Sequence, residues 1–482
     1  MIRDKKVLVA VIIFLISGFS NYFIQNHNLE ILHKNHPEKT RFSKSIITQD
    51  DWSYISPIQN FLQKKEWREN SFGNSGYFKR SPGYPWFIGI FICSDKKITP
   101  HNIQKLVGAQ IILQAIIPVL LFFIFLQINI TFLTAMIVSI IWGILPTFNG
   151  FTNYVLTESI TPFFVTLFMF FATGKQKWKI YLSAIVLSYL ILVKPIFLPF
   201  IFSYIFLVKN FKFKILSLCI LISILPFTIW KIRCYNIDHQ SIYLHPIYHP
   251  QNQTVYRLPH QEIFELVKMY QPNGEKYHDW VKNMEKNAKQ NQSINWDLTL
   301  SIFPKNVQEL VGEKNLKNSL YNYYESLKEI EFYAQKGKYS AKELIVVNNF
   351  KNYKQKFISA YPFTSFVITP IQVAKEMIFH SNLNLYIFQH YYRNQIWMEF
   401  LRLLSYIIHC SLFLFPIIGL IFWNNKSSLH PILIPILLTF LYFTIVQRAL
   451  EERYTYPFLA ILYIQSIHVL FTIKNYLQNR KG

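Results

Sequence analysis

The chain is short of charge, of cysteine and of the glycine-rich signatures of nucleotide binding. Of its 482 residues only 16% are Asp, Glu, Lys or Arg, against about a quarter in soluble domains. Hydrophobic residues reach 51% and are gathered into blocks, so an ordinary soluble domain is excluded and a polytopic membrane protein is the first reading. There are 4 cysteines, Cys93, Cys219, Cys234 and Cys410. Two fall inside apolar blocks, which excludes a disulfide scaffold and leaves a Cys93–Cys234 bridge open. There is no P-loop and no GxGxxG, and the close glycine pair of the first loop is Gly73 and Gly76, so nothing argues for a bound nucleotide. Low-complexity tracts and internal repeats are also missing. Acid is scarce, with 26 Asp+Glu against 49 Lys+Arg and a net charge of +23. In a soluble protein that imbalance suggests nucleic acid. Here many of the basic residues flank apolar blocks, where cytoplasmic loops collect them, so nucleic acid is not an expected partner.

A spanning helix needs roughly 20 apolar residues. About ten segments qualify: roughly 6–24, 104–126, 129–147, 155–173, 177–193, 195–209, 213–231, 398–423, 429–447 and 453–474. No small-residue cleavage site cleanly follows the first, which therefore reads as an uncleaved helix. Only "VKPI" separates the fifth from the sixth, and one bent segment is the alternative. The stretch 82–93 is apolar but too short to cross, and reads as interfacial or re-entrant. With the N-terminus inside, the basic loops "GKQKWK", "KNFKFK" and "NNKSS" and the tail "KNYLQNRKG" all fall in the cytoplasm. The expected fold is an all-α polytopic membrane protein of about ten transmembrane helices, with a long first outer loop and a mixed, mainly helical extracytoplasmic insert. Residues 1–231 form an N-terminal transmembrane module with its outer loop at 25–103. Residues 232–397 form the insert, and 398–482 the last helices and the basic tail. The asymmetry of this pattern argues against the paired halves of many transporters.

This topology sorts the chemistry to one side. Asp50 and Asp51 in "TQDDWSY" lie outside, as do Lys79 and Arg80 in "GYFKRSPGYP". Glu158 in "VLTESITP", Lys194 in "LVKP", Arg233 in "WKIRC", and Arg448, Glu451, Glu452 and Arg453 in "QRALEERYTYP" lie at the outer ends of apolar blocks. Charges beside hydrocarbon are costly and functional by default. Cations neutralise a phosphate, and a carboxylate takes the proton of an attacking hydroxyl or amine. A lipid-borne phosphate suits a site at the membrane surface.

The order of these motifs is the acidic pair, Arg-Ser-Pro-Gly-Tyr-Pro, Thr-Glu-Ser, Lys-Pro and Glu-Arg-Tyr-x-x-Pro. It resembles that of the GT-C class of integral-membrane glycosyltransferases, such as dolichyl-phosphate-mannose protein mannosyltransferases and aminoarabinose transferases. The resemblance spans residues 1–231 and 398–474. It implies transfer of a sugar from a polyprenyl-phosphate carrier to a glycan, lipid or protein acceptor on the non-cytoplasmic side, with inversion expected. Between a bacterial plasma membrane and an endoplasmic reticulum membrane the sequence does not decide, and the former is favoured because the chain is short of the large domains common in the eukaryotic relatives. It implies Asp50 as base, Asp51 as the adjacent acid and Glu158 as a second acid. Lys79, Arg80, Lys194 and Arg453 would meet the carrier phosphate, and Tyr54 and Tyr84 would lie on the substrate side. The large insert and the lack of a large C-terminal domain depart from better-known members and leave the acceptor undefined. A transporter or flippase of lipid-linked saccharides, or a ligase of lipid-linked glycans, is the alternative.

Plainer readings stand beside these. Asp50 and Asp51 suit the N-cap of a helix starting near Trp52. Arg80 and Lys194 suit interfacial anchoring, Glu158 the positive end of a helix, and Glu452 with Arg453 an ion pair. Trp52, Tyr54, Tyr84 and Trp86 suit an aromatic belt. His239, His245, His249 and His260 invite a metal, but Pro246 and Pro250 break the helix that would align His245 with His249. No cofactor is expected, and a divalent metal on the carboxylates is left open. The sequons at Asn252 and Asn291 carry little weight in an Asn-rich chain.

Overall fold

Helix α1 runs from Ile2 to Asn35, 34 residues, or about 51 Å, against a hydrocarbon core of about 30 Å. The apolar run ends near residue 24, yet the helix continues because its later polar side chains are used inside the protein. Gln25 Nε2 donates to Asn149 O at 2.8 Å, Asn153 Nδ2 donates to Gln25 O at 2.8 Å, and Thr152 Oγ1 donates to Asn21 Oδ1 at 3.3 Å. Leu29 and Leu32 then pack with Ile46 and Tyr154. The structure, a computed structural model, describes residues 2–48, 50–67, 81–174, 176–207, 213–238, 259–271, 275–335, 340–379, 395–421, 430–448 and 452–479.

A short antiparallel hairpin, β1 (Thr40–Arg41) and β2 (Ser45–Ile46), follows. Next come α2 (Asp51–Lys64), α3 (Gly83–Ile92), α4 (Pro100–Gln127), α5 (Phe132–Ile144), α6 (Thr161–Ala172) and α7 (Lys177–Val193). The chain breaks at Lys194, whose backbone is extended (φ −151°, ψ 109°). It resumes as a 3-10 helix, Pro195–Phe202, leading into α8 (Ser203–Leu207) and α9 (Phe213–Asp238). The fifth and sixth predicted spans are therefore two elements. The C-terminal bundle helices are α17 (Ile396–Ile421), α18 (His430–Leu441), which continues as a π-turn Tyr442–Gln447, and α19 (Leu459–Asn479).

Each predicted span has a helical counterpart, and the protein is an integral, multi-pass membrane protein. Among the described residues five helices are long and apolar enough to cross a bilayer: Asp4–Asn35, Pro100–Gln127, Phe213–Asn236, Ile396–Gly419 and Tyr456–Gln478. The other five are shorter. The span placed at 155–173 loses its start because residues 157–159 fold as a 3-10 turn. The bundle core holds Trp142, stacked on Phe148 at 3.9 Å, and Tyr463.

Between α9 and α17 lies a helical insert: α10 (Pro259–Val267), α11 (Glu275–Lys289), α12 (Trp296–Leu300), α13 (Lys305–Val311), α14 (Glu313–Gln335) and α15 (Ala341–Ala360). It has its own core around Trp280, Phe303, Tyr323, Phe350 and Phe357. A capping box between Ser340 and Glu343 starts α15. The chain then bends by 97° into a π-turn and α16 (Thr369–Ile378), whose Val373 and Met377 belong to the bundle core. No disulfide joins Cys93 and Cys234, so the bridge left open by the sequence does not form.

Candidate active site

Asp50 and Asp51 are adjacent but serve different partners. Asp50 stands at the N-cap of α2, yet its carboxylate does not cap the helix. Thr48 Oγ1 instead accepts from the Asp51 amide at 3.1 Å. The Asp50 carboxylate meets Arg453 Nη2 at 2.6 Å, a contact 403 residues apart in the chain. Asp51 is 2% exposed and meets Arg41 Nη2 at 2.7 Å, and that guanidinium lies 5.5 Å from the Trp52 ring. Asp50 is the more open of the two carboxylates, 23% exposed against 2% for Asp51.

Glu158 sits in the turn Thr157–Ser159 and is buried. Lys194 Nζ donates to its Oε1 at 2.8 Å and Thr157 Oγ1 to its Oε2 at 2.9 Å. Burial pushes the Glu158 carboxyl up, but Lys194 and then Arg453 outweigh it and hold it below its ordinary value. Because Arg453 acts on both Asp50 and Glu158, the two ion pairs form one continuous patch. Tyr454 floors it, with Lys194 Nζ 5.3 Å and the Arg453 guanidinium 5.6 Å from its ring. Phe443 stacks on Tyr454 at 5.6 Å.

Beneath the patch is a buried polar frame. Gln110 Nε2 donates to Thr152 O at 2.6 Å and to Tyr154 O at 3.1 Å, and Gln114 Nε2 donates to Ser159 O at 2.9 Å. Tyr84 and Ser159 hydroxyls both donate to Gln110 Oε1 at 2.9 Å. These bonds fix the irregular 152–159 segment that presents Glu158. Gly83 brings α3 against the end of α7: a Cβ there would lie 2.5 Å from Val193 N. Tyr189 Oη donates to Gly83 O at 3.0 Å.

The structure thus joins Asp50, Glu158, Lys194 and Arg453. Tyr54 and Tyr84 lie inside the packing, 6% and 0% exposed, edge to face at 5.3 Å. The Tyr84 hydroxyl donates to Gln110 Oε1, within the packed interior. Lys79 and Arg80 lie outside the described residues, as do His239, His245, His249, Asn252 and Glu451, and the side chain of Glu452. Arg233 lies in α9 over Trp230 at 4.9 Å. His260 is in the insert, where loss of water and then His278 push its pKa down to about 4. Arg448 is buried beside the insert. Among the described residues no three His, Cys, Asp or Glu side chains converge on a metal position. Sequence reasoning missed Arg41, Gln110 and Gln114. It also passed over Tyr454, which lay in plain view within Glu-Arg-Tyr-x-x-Pro.

The fold and site define a multi-pass helical membrane protein with paired acids and bases at one end of its bundle. No family model matches the chain and no curated protein matches it. Its structure is similar to that of the Archaeoglobus fulgidus oligosaccharyltransferase tethered with an acceptor peptide containing the NVT sequon (TM-score 0.44, 13% identity, 98% of this chain and 50% of that one). It is similar to the archaeal oligosaccharyltransferase AglB from Archaeoglobus fulgidus in complex with an inhibitory peptide and a dolichol-phosphate (TM-score 0.44, 12% identity, 99% and 51%). It is also similar to ArnT from Cupriavidus metallidurans bound to undecaprenyl phosphate (TM-score 0.31, 10% identity, 96% and 77%). The chain spans about half the length of the archaeal structures.

Proposed function

We propose that this protein is a GT-C-type glycosyltransferase that moves a sugar from a polyprenyl-phosphate carrier to a glycan, lipid or protein acceptor, at the non-cytoplasmic face of a bacterial plasma membrane. The observation that carries this reading is the joined pair of ion pairs, Asp50–Arg453 and Glu158–Lys194, assembled from four distant segments over one aromatic ring. A departing polyprenyl phosphate needs its charge neutralised, and preorganised cations supply that stabilisation. Lys194 and Arg453 fill this role, and Lys79 and Arg80, outside the described residues, are further candidates from the sequence alone. Glu158 keeps both described cations in place before the carrier arrives.

The arriving phosphate competes with Asp50 for Arg453. A carboxylate released from a guanidinium regains proton affinity and takes the proton of the acceptor hydroxyl or amine. The acceptor oxygen or nitrogen bonds to the anomeric carbon as the bond to the phosphate oxygen breaks. The phosphate leaves with the electron pair, and the configuration inverts. An apolar cavity of about 220 Å³, lined by Met377, Phe413, Ile436, Phe440, Thr444 and Leu462, suits the carrier chain. Its Thr444 adjoins Phe443, which stacks on Tyr454.

The test incubates purified protein with a panel of polyprenyl-phosphate sugars and acceptors and seeks the product by mass spectrometry. Transfer that is abolished by Asp50→Asn, with carrier binding retained, supports the reading. The alternative is a transporter of lipid-linked saccharides, which calls for helix breaks near mid-membrane, whereas the breaks at Lys194 and at Arg448, which has φ 49°, lie at the ends of apolar blocks. Passage of such a lipid across liposomes without any transfer would establish that reading instead.

A further inference from the structure

The elbow between α15 and α16 exposes a surface that the described residues leave largely uncovered, the Arg448 guanidinium lying over the Phe366 ring at 5.3 Å. Phe363, Phe366, Ile371 and Phe379 are 65%, 51%, 61% and 48% exposed. On the other side of the same segment Ser365, Thr369, Val373 and Met377 are buried, and the latter two belong to the bundle core. The 97° bend means that α15 rises away from this segment. Residues 364–378 would span only about 22 Å as a helix, short of the roughly 30 Å needed to cross, and they carry Lys375 and Glu376. A two-faced helix of this length and composition lies in the water–lipid boundary.

Two further observations identify what covers it. First, α16 packs on α17, whose Phe400, Leu403, Ile407 and Leu414 are exposed. Since α17 is a full-length apolar span, the aromatic row continues a face that already meets lipid. Second, Lys351 and Lys356 are exposed and Lys354 half-buried, and no ion pair joins any of the three to a described residue. They stand 12 to 7 residues before Phe363, roughly 18 to 10 Å along α15, just above a headgroup layer about 5–8 Å thick per leaflet and within reach of its surface field. Lysines so placed attract anionic lipids.

We propose that the elbow 351–379 is a membrane-surface anchor, with Phe363, Phe366, Ile371 and Phe379 among the acyl chains and Lys351, Lys354 and Lys356 against anionic headgroups. Helix α15 belongs to the insert core through Val346, Phe350 and Phe357, and α16 belongs to the bundle. The anchor therefore sets the height of the insert above the bundle. It stands whether or not the protein transfers a sugar.

The full chain in nanodiscs tests this. A nitroxide is placed at Ile371→Cys, and separately at Phe363→Cys in case one variant fails to fold, with Cys93 and Cys234 changed to serine. Cys219 and Cys410 are buried. The label is expected to collide with oxygen and to be shielded from a nickel chelate. Chelate access as high as at an exposed insert position, Leu298→Cys, would overturn the proposal. Shielding seen in native membranes and absent in nanodiscs would do so too, since the cover would then be a protein. In nanodiscs of mixed phosphatidylcholine and phosphatidylglycerol, the lipid retained on purification should be enriched in phosphatidylglycerol several-fold. Changing the three lysines to glutamine should at least halve that enrichment. An unchanged enrichment would remove the headgroup half of the proposal.

Discussion

At the scale of single residues, the two neighbouring aspartates make opposite predictions. The Asp50–Arg453 pair is partly open to water, with side chains 23% and 18% exposed, and Glu158 still faces Arg453 when Asp50 is neutralised, so the guanidinium is not left without a countercharge. Asp50→Asn is therefore expected to leave thermal unfolding nearly unchanged while transfer falls by about 10²–10⁴-fold, the usual worth of a general base. Asp51 is buried against Arg41. Asp51→Ala leaves that guanidinium without its partner and should cost about 3–5 kcal/mol, read as a lowered unfolding midpoint. Asp51→Ala with Arg41→Met should recover part of the loss. Glu158 gives a pH test. Its folded pKa is held below the ordinary 4.5, so its contribution is complete above that value and is lost as pH falls through the folded value. The stability gap between wild type and Glu158→Gln should narrow below about pH 4.5, measured by unfolding midpoints across an acid titration.

At the scale of elements, close approach decides which glycines matter. In α3, Gly83 faces the backbone of Leu192 and Val193, with 2.5 Å to the nearest atom from an added Cβ, whereas Gly108 in α4 has open space there. Gly83→Ala should push α3 off α7, weaken the Tyr189 bond to its carbonyl and disturb Lys194 next to the contact, lowering both midpoint and activity. Gly108→Ala should be neutral or stabilising by about 0.4–1 kcal/mol, because alanine loses less backbone freedom on folding. Paired melting curves of the two variants check this. The same contact explains why the Ser-Pro-Gly-Tyr-Pro element has its form: Pro82 and Gly83 open a short helix that only a residue without a side chain lets settle against α7.

At the scale of the whole molecule, the insert and the bundle each have a separate hydrophobic core. They meet through few polar contacts, among them Lys268 Nζ donating to Gln447 O at 3.0 Å and Thr369 Oγ1 donating to Met269 O at 2.8 Å. Separate cores open as separate cooperative units. Hydrogen exchange read by mass spectrometry should show α10–α15 protected at one common level and α4, α6, α7 and α19 at another. Mild denaturant should shift the first before the second. A single shared level would mean that the interface couples them far more tightly than these bonds suggest.

Composition and block pattern were enough to establish a multi-pass helical protein. Hydrocarbon demands long apolar runs with internal backbone pairing, and that demand is written locally. The clustering of acids and bases at block ends was legible for the same reason, since charge beside lipid is rare and conspicuous. What local pattern could not reach was pairing. That Asp50 meets Arg453 across 403 residues, that its neighbour Asp51 turns to Arg41, and that Gln110 and Gln114 hold the segment bearing Glu158, all follow from helix packing. Helix lengths were also set by the tertiary structure: α1 outruns its apolar stretch because Asn149 and Asn153, elsewhere in the fold, engage Gln25. The sequence determined where the chain could enter lipid, because burial of backbone is a property of each segment alone. Only the packed bundle decided which charges share a site, because an ion pair depends on where distant segments come to lie.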